Sequence, residues 1–137
     1  MISVILISHG EMAAGMLNTC RTFFGRDIAK IEAICFMEQD SPEALDGRIA
    51  DAIQRLDDGS GIMIFCDLIG GTPNNRCMRV VNDHIKCISG ANLAVVIEFL
   101  SARLEVDKIE KIDCSSLIDT ARNGIKDLNE IVKAFQK

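Results

Sequence analysis

Two short segments of this chain carry side chains able to move a charged group. The first is Ser8-His9-Gly10, which ends an apolar, β-branched run beginning at Ile2; the second is Asp67, followed closely by Gly70-Gly71-Thr72-Pro73. His9 is one of only 2 histidines in the chain. A carboxylate that accepts the Nδ1 proton of an imidazole leaves Nε2 free as a nucleophile or base. It also stabilises the imidazolium that forms during proton or phosphoryl transfer. Asp67 is the natural partner, because it ends a neighbouring apolar run. Gly70 and Gly71 allow a sharp turn and a close backbone approach. Thr72 adds a hydroxyl, and N–H groups at the start of a helix opened by Pro73 form an anion site. Each piece also has a plain structural reading: a turn histidine, an aspartate capping its own turn, a loop with an N-cap. No Walker-type or GxGxxG pattern occurs, so no nucleotide site is indicated.

The elements that must position these residues follow in order. The run ending at His9 is apolar on both faces, which predicts a strand covered on both sides of a parallel sheet. Met12, Ala13, Met16, Leu17, Cys20, Phe23 and Phe24 have helical spacing, closed by Gly25. A second strand spans Ile31–Phe36. Ser41 as N-cap and Pro42 in the first turn open a helix that runs to about Leu56. A third strand spans Gly61–Asp67. Thr72 as N-cap and Pro73 start a helix that continues through Val81. A fourth strand, Ile85–Ser89, and a fourth helix, Asn92–Leu104, come next. The connection from Glu105 to Lys111 is polar, and the tail from Ser115 is helical with an interruption at Gly124.

This βαβαβαβα alternation predicts an α/β fold, a doubly wound, mostly parallel four-stranded sheet with helices on both faces. His9-Gly10, Asp67 with Gly70-Gly71-Thr72, and Gly90 with Asn92 then share the carboxyl edge of the sheet, where such folds gather their ligands. His84 falls at the opposite edge and reads as an exposed loop histidine. Arg76 and Arg79 lie on the helix after Pro73 and face solvent by default. Asn92 reads equally as an N-cap or as a site residue.

Composition narrows the classes. The 137 residues suit one domain, and 48% hydrophobic content is enough for a sizeable core. Aromatics make up 4%, with no Trp or Tyr, so nucleic-acid binding by stacking is not expected. The net charge of −5 argues against a phosphate-backbone partner. The 6 cysteines form no CxxC pair, so zinc spacing is absent, and buried free thiols in a reducing cytosol are expected. The N-terminal run is too short for a signal peptide and lacks a basic region. No apolar stretch approaches the ~20 residues of a membrane span.

Four motifs recur together in one order: Ser8-His9-Gly10 after the first strand; Phe36 with Asp40-Ser41-Pro42-Glu43; Asp67-Leu68-Ile69-Gly70-Gly71-Thr72-Pro73-Asn74-Asn75; and Ser89-Gly90-Ala91-Asn92-Leu93. Over about residues 2 to 128 the chain resembles the IIA component of mannose-family sugar phosphotransferase systems. The resemblance implies a single cytoplasmic domain, residues 1–137, acting as a phosphocarrier. His9 would accept a phosphoryl group from the phosphocarrier protein HPr and pass it to a histidine of a IIB component, which serves the membrane proteins IIC and IID. Asp67 would orient and stabilise His9. Gly10, Gly70, Gly71 and Thr72 would line the phosphoryl group, with no metal, nucleotide or other cofactor required. The family is usually dimeric, with a C-terminal antiparallel edge strand exchanged between subunits, and Gly124–Leu128 resembles the start of that strand; Asn129–Phe135 looks more helical. The chain departs from the pattern at Asn74, often aromatic in the family, and at Asn92-Leu93-Ala94-Val95, often Asn-Leu-Pro-Met. Asn74 and Asn92 are therefore expected at a partner surface. No IIB domain follows within this chain, which predicts action on a separate IIB protein.

Two other readings compete. A histidine phosphatase also carries a histidine after its first strand, but usually as Arg-His-Gly, and here Ser8 occupies the arginine position. A phosphorylation-sensing regulatory module, or the phosphocarrier subunit that feeds dihydroxyacetone kinase, would keep His9 and change only the acceptor.

Overall fold

A computed structural model of the chain describes residues 1–136. Four strands, β1 (Ser3–His9), β2 (Ile31–Phe36), β3 (Ile62–Cys66) and β4 (Ile85–Ser89), form one parallel sheet in the order β2-β1-β3-β4. Interleaved with them are helices α1 (Met12–Phe24), α2 (Pro42–Leu56), α3 (Thr72–Cys77) and α4 (Leu93–Ala102). A single 3-10 turn (Ile109–Lys111) and two further helices, α5 (Cys114–Asn123) and α6 (Leu128–Phe135), complete the chain. The expected doubly wound parallel sheet is therefore present.

The sequence pattern explains the layering. Side chains alternate faces along a strand, and the central strands are apolar on both faces over residues 4–7 and 62–66. Val4 and Leu6 of β1, with Met63 and Phe65 of β3, pack beneath α1, α4 and α5. Ile5 and Ile7, with Ile62, Ile64 and Cys66, pack beneath α2 and α3. The Phe65 and Phe99 rings meet edge to face, 5.7 Å between centroids. Ser41 caps α2 by accepting from the Ala44 N–H at 3.1 Å, and Pro42 follows in the first turn. Gly25 ends α1 at φ +90°, a conformation that glycine adopts without strain. Arg103, 5% exposed, ties distant parts together by donating to the Ile2, Lys30 and Ala29 carbonyls at 3.0, 3.0 and 2.6 Å. Among the described residues, no helix is long and apolar enough to cross a membrane. All six cysteines are free.

Three local expectations are corrected. The helix after Gly70-Gly71 does not reach Val81: it ends at Cys77, where Arg79 and Val80 donate three residues back, to Arg76 and Cys77, and tighten the chain into turns. Its N-cap is Gly71 and not Thr72, because the Asn75 N–H closes the first turn on the Gly71 carbonyl at 2.9 Å. The start of an exchanged edge strand at Gly124–Leu128 is absent. There Gly124 donates back to Thr120 and Ala121 and closes α5, and Asp127 caps α6 by accepting from Asn129 and Glu130.

Candidate active site

β1 and β3 are adjacent and parallel, with Ile7 paired to Cys66. Their carboxyl ends therefore deliver His9 and Asp67 side by side. Asp67 Oδ2 accepts two hydrogen bonds from the same residue: the backbone N–H of His9 at 2.9 Å and its ring Nδ1, also at 2.9 Å. The Asp67 side chain is 11% exposed and that of His9 45%. One carboxylate oxygen thus fixes both the main chain and the ring. The tautomer follows from the partner: an acceptor facing Nδ1 places the proton there and leaves the Nε2 lone pair free. The second oxygen, Oδ1, is buried and makes no hydrogen bond to the described residues.

The turn after His9 is held by residues of the same sequence motifs. The Ser8 hydroxyl accepts from the Ala13 N–H at 2.7 Å and donates to the Gly10 carbonyl at 3.2 Å. It thereby serves the first turn of α1, where Glu11 makes no side-chain cap. Gly10, at φ +56°, donates its N–H to the Phe36 carbonyl at 2.8 Å and so pins the turn to β2. The Phe36 ring stands edge-on to His9, 6.4 Å between centroids. Its sequence signal was present, since Phe36 belongs to one of the four motifs.

Gly71 closes the other side of the imidazole. A Cβ at this position would lie 2.5 Å from His9 Cε1 and 3.0 Å from Nε2, so only glycine fits without moving the ring. Gly70 makes the preceding turn at φ +84°. Thr72 is half-buried at the first position of α3. With only 6 residues, α3 carries a small dipole, so the helix-terminus argument for an anion site is weaker than the sequence suggests.

The two asparagines expected at a partner surface are used internally. Asn74 is 8% exposed, and its amide donates to Asn75 Oδ1 and Met78 Sδ at 3.2 and 3.7 Å. This corrects its placement: Asn74 lies on the inward face of α3. Asn92 is the N-cap of α4, accepting from Val95 at 3.1 Å while donating to the Ala121 carbonyl at 2.7 Å. Both ends of its amide are occupied within the chain. Arg76 and Arg79 do not simply face solvent. Both reach Asp46 of α2, at 3.2 and 3.3 Å, and join α3 to α2. His84 sits at the opposite sheet edge, as expected, but is engaged there by Asp57 at 3.0 Å and Glu110 at 3.4 Å.

These features can be set beside known proteins. The family described as the PTS system fructose IIA component, EIIA-man, matches residues 3–114. The chain belongs to this family. It is 27% identical over 129 residues to the PTS system mannose-specific EIIAB component of Escherichia coli, covering 93% of this chain and 39% of that protein. The chain therefore spans about two fifths of the length of its mannose-specific relatives. It is 26% identical over 105 residues to the PTS system fructose-specific EIIA component of Bacillus subtilis, covering 75% of this chain and 71% of that one. The phosphotransferase system component EIIA of Streptococcus agalactiae shares the fold, with a TM-score of 0.83 at 24% identity over 95% of this chain and 99% of that one. EIIA membership agrees with the resemblance carried by the four sequence motifs.

Proposed function

We propose that this EIIA is a cytoplasmic phosphocarrier whose His9 Nε2 accepts a phosphoryl group from phospho-HPr and hands it to a histidine of a IIB component. The observation that carries the reading is the double hydrogen bond from His9 to one oxygen of Asp67. The Nε2 lone pair attacks phosphorus in line as the bond from phosphorus to the donor histidine's nitrogen breaks. The Nδ1 proton stays on the ring, and the adjacent carboxylate stabilises the positive charge that develops there. In the second step the IIB histidine attacks the same phosphorus, and the Nε2–P bond breaks. Positioning and charge stabilisation are the protein's contribution. Gly10, Gly70, Gly71 and Thr72 line the transferring group in this reading, and the chain acts as one domain over residues 1–137.

Exposure supports protein partners. His9 lies open at the sheet edge, and Met12, Leu68 and Ile69, on α1 and on the loop after Asp67, are 50%, 57% and 78% exposed. Apolar groups around a reactive side chain suit docking by HPr and IIB, with the membrane components IIC and IID reached through IIB. A second copy of the chain is a further partner in this reading.

The test is phosphoryl transfer from phosphoenolpyruvate through enzyme I and HPr to the wild type and to His9→Ala. An acid-labile phosphoryl group on the wild type alone is expected. Labelling that survives in His9→Ala would move the acceptor to another residue, and labelling of neither protein would remove the phosphocarrier reading.

A further inference from the structure

One other group of reactive side chains lies together, on the face of the sheet covered by α2 and α3. Cys66 ends β3, Cys77 ends α3 and Cys87 lies in β4, spacings that share no metal-binding pattern in the sequence. The fold nonetheless gathers them. Cys66 Sγ is 3.3 Å from Cys77 Sγ and 3.7 Å from Cys87 Sγ, and all three sulfurs fall within 4.8 Å of one another. Three sulfurs held about 2.3 Å from one ion in a plane are themselves about 4 Å apart, so the triad spans the required size. Cys66 and Cys77 are each 1% exposed. Cys87 is partly buried on the edge strand β4, and that edge offers the way in.

The chemistry of the surroundings selects the ion. Thiolates take soft metals, whereas hard cations require oxygens. Among the described residues no histidine, carboxylate or fourth cysteine joins the cluster. The triad belongs instead to the apolar layer that includes Ile64, Ile49 and Val80. A tetrahedral zinc site lacks its fourth ligand here, and a trigonal ion of low charge does not need one. A second observation points the same way. The Ser89 hydroxyl is buried and has no hydrogen-bond partner among the described residues; Ser89 pairs with Cys66 across the sheet and shares the face of Cys87. A hydroxyl so placed can donate to a metal-bound thiolate and offset its charge.

We propose that Cys66, Cys77 and Cys87 form a three-thiolate site for a soft monovalent d10 cation, with cuprous copper as the ion it fits. Each thiol that joins the ion releases its proton to solvent, and no electron is transferred. Because Cys66 directly precedes Asp67 and Cys77 closes α3, the ion brackets the whole segment that contacts His9. The site does not depend on the phosphocarrier reading.

The experiment is a competition under anaerobic, reducing conditions, in which the full chain is added to the cuprous complex of bicinchoninate and loss of the coloured complex is followed. The wild type is expected to withdraw one ion per chain. Cys66→Ser, Cys77→Ser and Cys87→Ser are each expected to withdraw none, while Cys20→Ser and Cys114→Ser match the wild type. Ser89→Ala is expected to weaken binding by about 10- to 100-fold. Circular dichroism verifies folding of each variant, and alanine replaces serine wherever the serine variant unfolds. A wild type that withdraws no copper overturns the proposal, as do folded triad variants that withdraw as much as the wild type. Zinc held against a matched chelator as tightly as copper overturns the choice of ion.

Discussion

Asp67 Oδ2 takes both N–H groups of His9, and this places the orientation of the imidazole under the control of a single atom. Gly71 limits the same ring from the other side, so its removal tests positioning separately from chemistry. Gly71 has φ −80°, open to any residue, so Gly71→Ala adds no backbone strain and acts only by pushing the ring. A displacement of this kind is expected to slow phosphoryl transfer by roughly 100-fold, with the melting temperature nearly unchanged. Stopped-flow transfer from phospho-HPr and a thermal melt check both halves, and an unaltered rate would mean that the ring tolerates the shift. The pairing of His9 with Asp67 was legible in the sequence, because two parallel strands that are neighbours must end side by side. The burial of Asn74 was not. The expected N-cap at Thr72 is one residue late, and one residue turns a helix face by about 100°; the start of α3 at Thr72, with Gly71 as its cap, decided which side chains point inward.

At the scale of elements, His84 joins three of them: it precedes β4, and its ring meets Asp57, the C-cap of α2, and Glu110 of the 3-10 turn. Hydrogen bonding to Asp57, and then to Glu110, raises the His84 pKa above the ordinary value of 6.5. A raised value in the folded state means that the contribution to stability is complete below 6.5 and is lost as pH rises through the raised value. The melting-temperature difference between wild type and His84→Gln is therefore expected to be larger at about pH 5.5 than at about pH 8.5. A gap that ignores pH would show that the ring acts only as a neutral hydrogen-bonding group. The effect is small in either case, because the side chain is 36% exposed. Sequence reasoning placed His84 at the correct edge, but its partners come from segments 26 and 27 residues away, which no local pattern reveals. The four strands, by contrast, were legible within a residue or two, since β1 and β3 are apolar on both faces and β2 and β4 are short, largely apolar runs bounded by turn residues. The missed end of α3 has a local cause, in the turns that tighten the chain after Cys77.

For the whole molecule, the uncovered element is α6, none of whose residues is buried. Ile125, Leu128, Val132 and Phe135 are 75%, 70%, 51% and 84% exposed, which gives the proposed second copy an apolar surface to cover. Light scattering is expected to return twice the chain mass for the wild type and the single-chain mass for Val132→Asp combined with Phe135→Asp. Because both side chains are exposed, unfolding of the isolated chain should change by no more than about 0.5 kcal/mol. A wild type of single-chain mass would rule out the homodimer. A different consequence follows from the 58 positions that separate His9 from Asp67. At about 5–20 residues per second, a ribosome takes roughly 3 to 12 s to synthesise that interval. During it, β1 can gain β2 but not β3, so Ile5 and Ile7 lack Ile62, Ile64 and Cys66 of their cluster and the imidazole lacks its carboxylate. The nascent chain therefore passes through a period in which its earliest strand is sticky and its histidine unready, and both conditions end together when β3 docks.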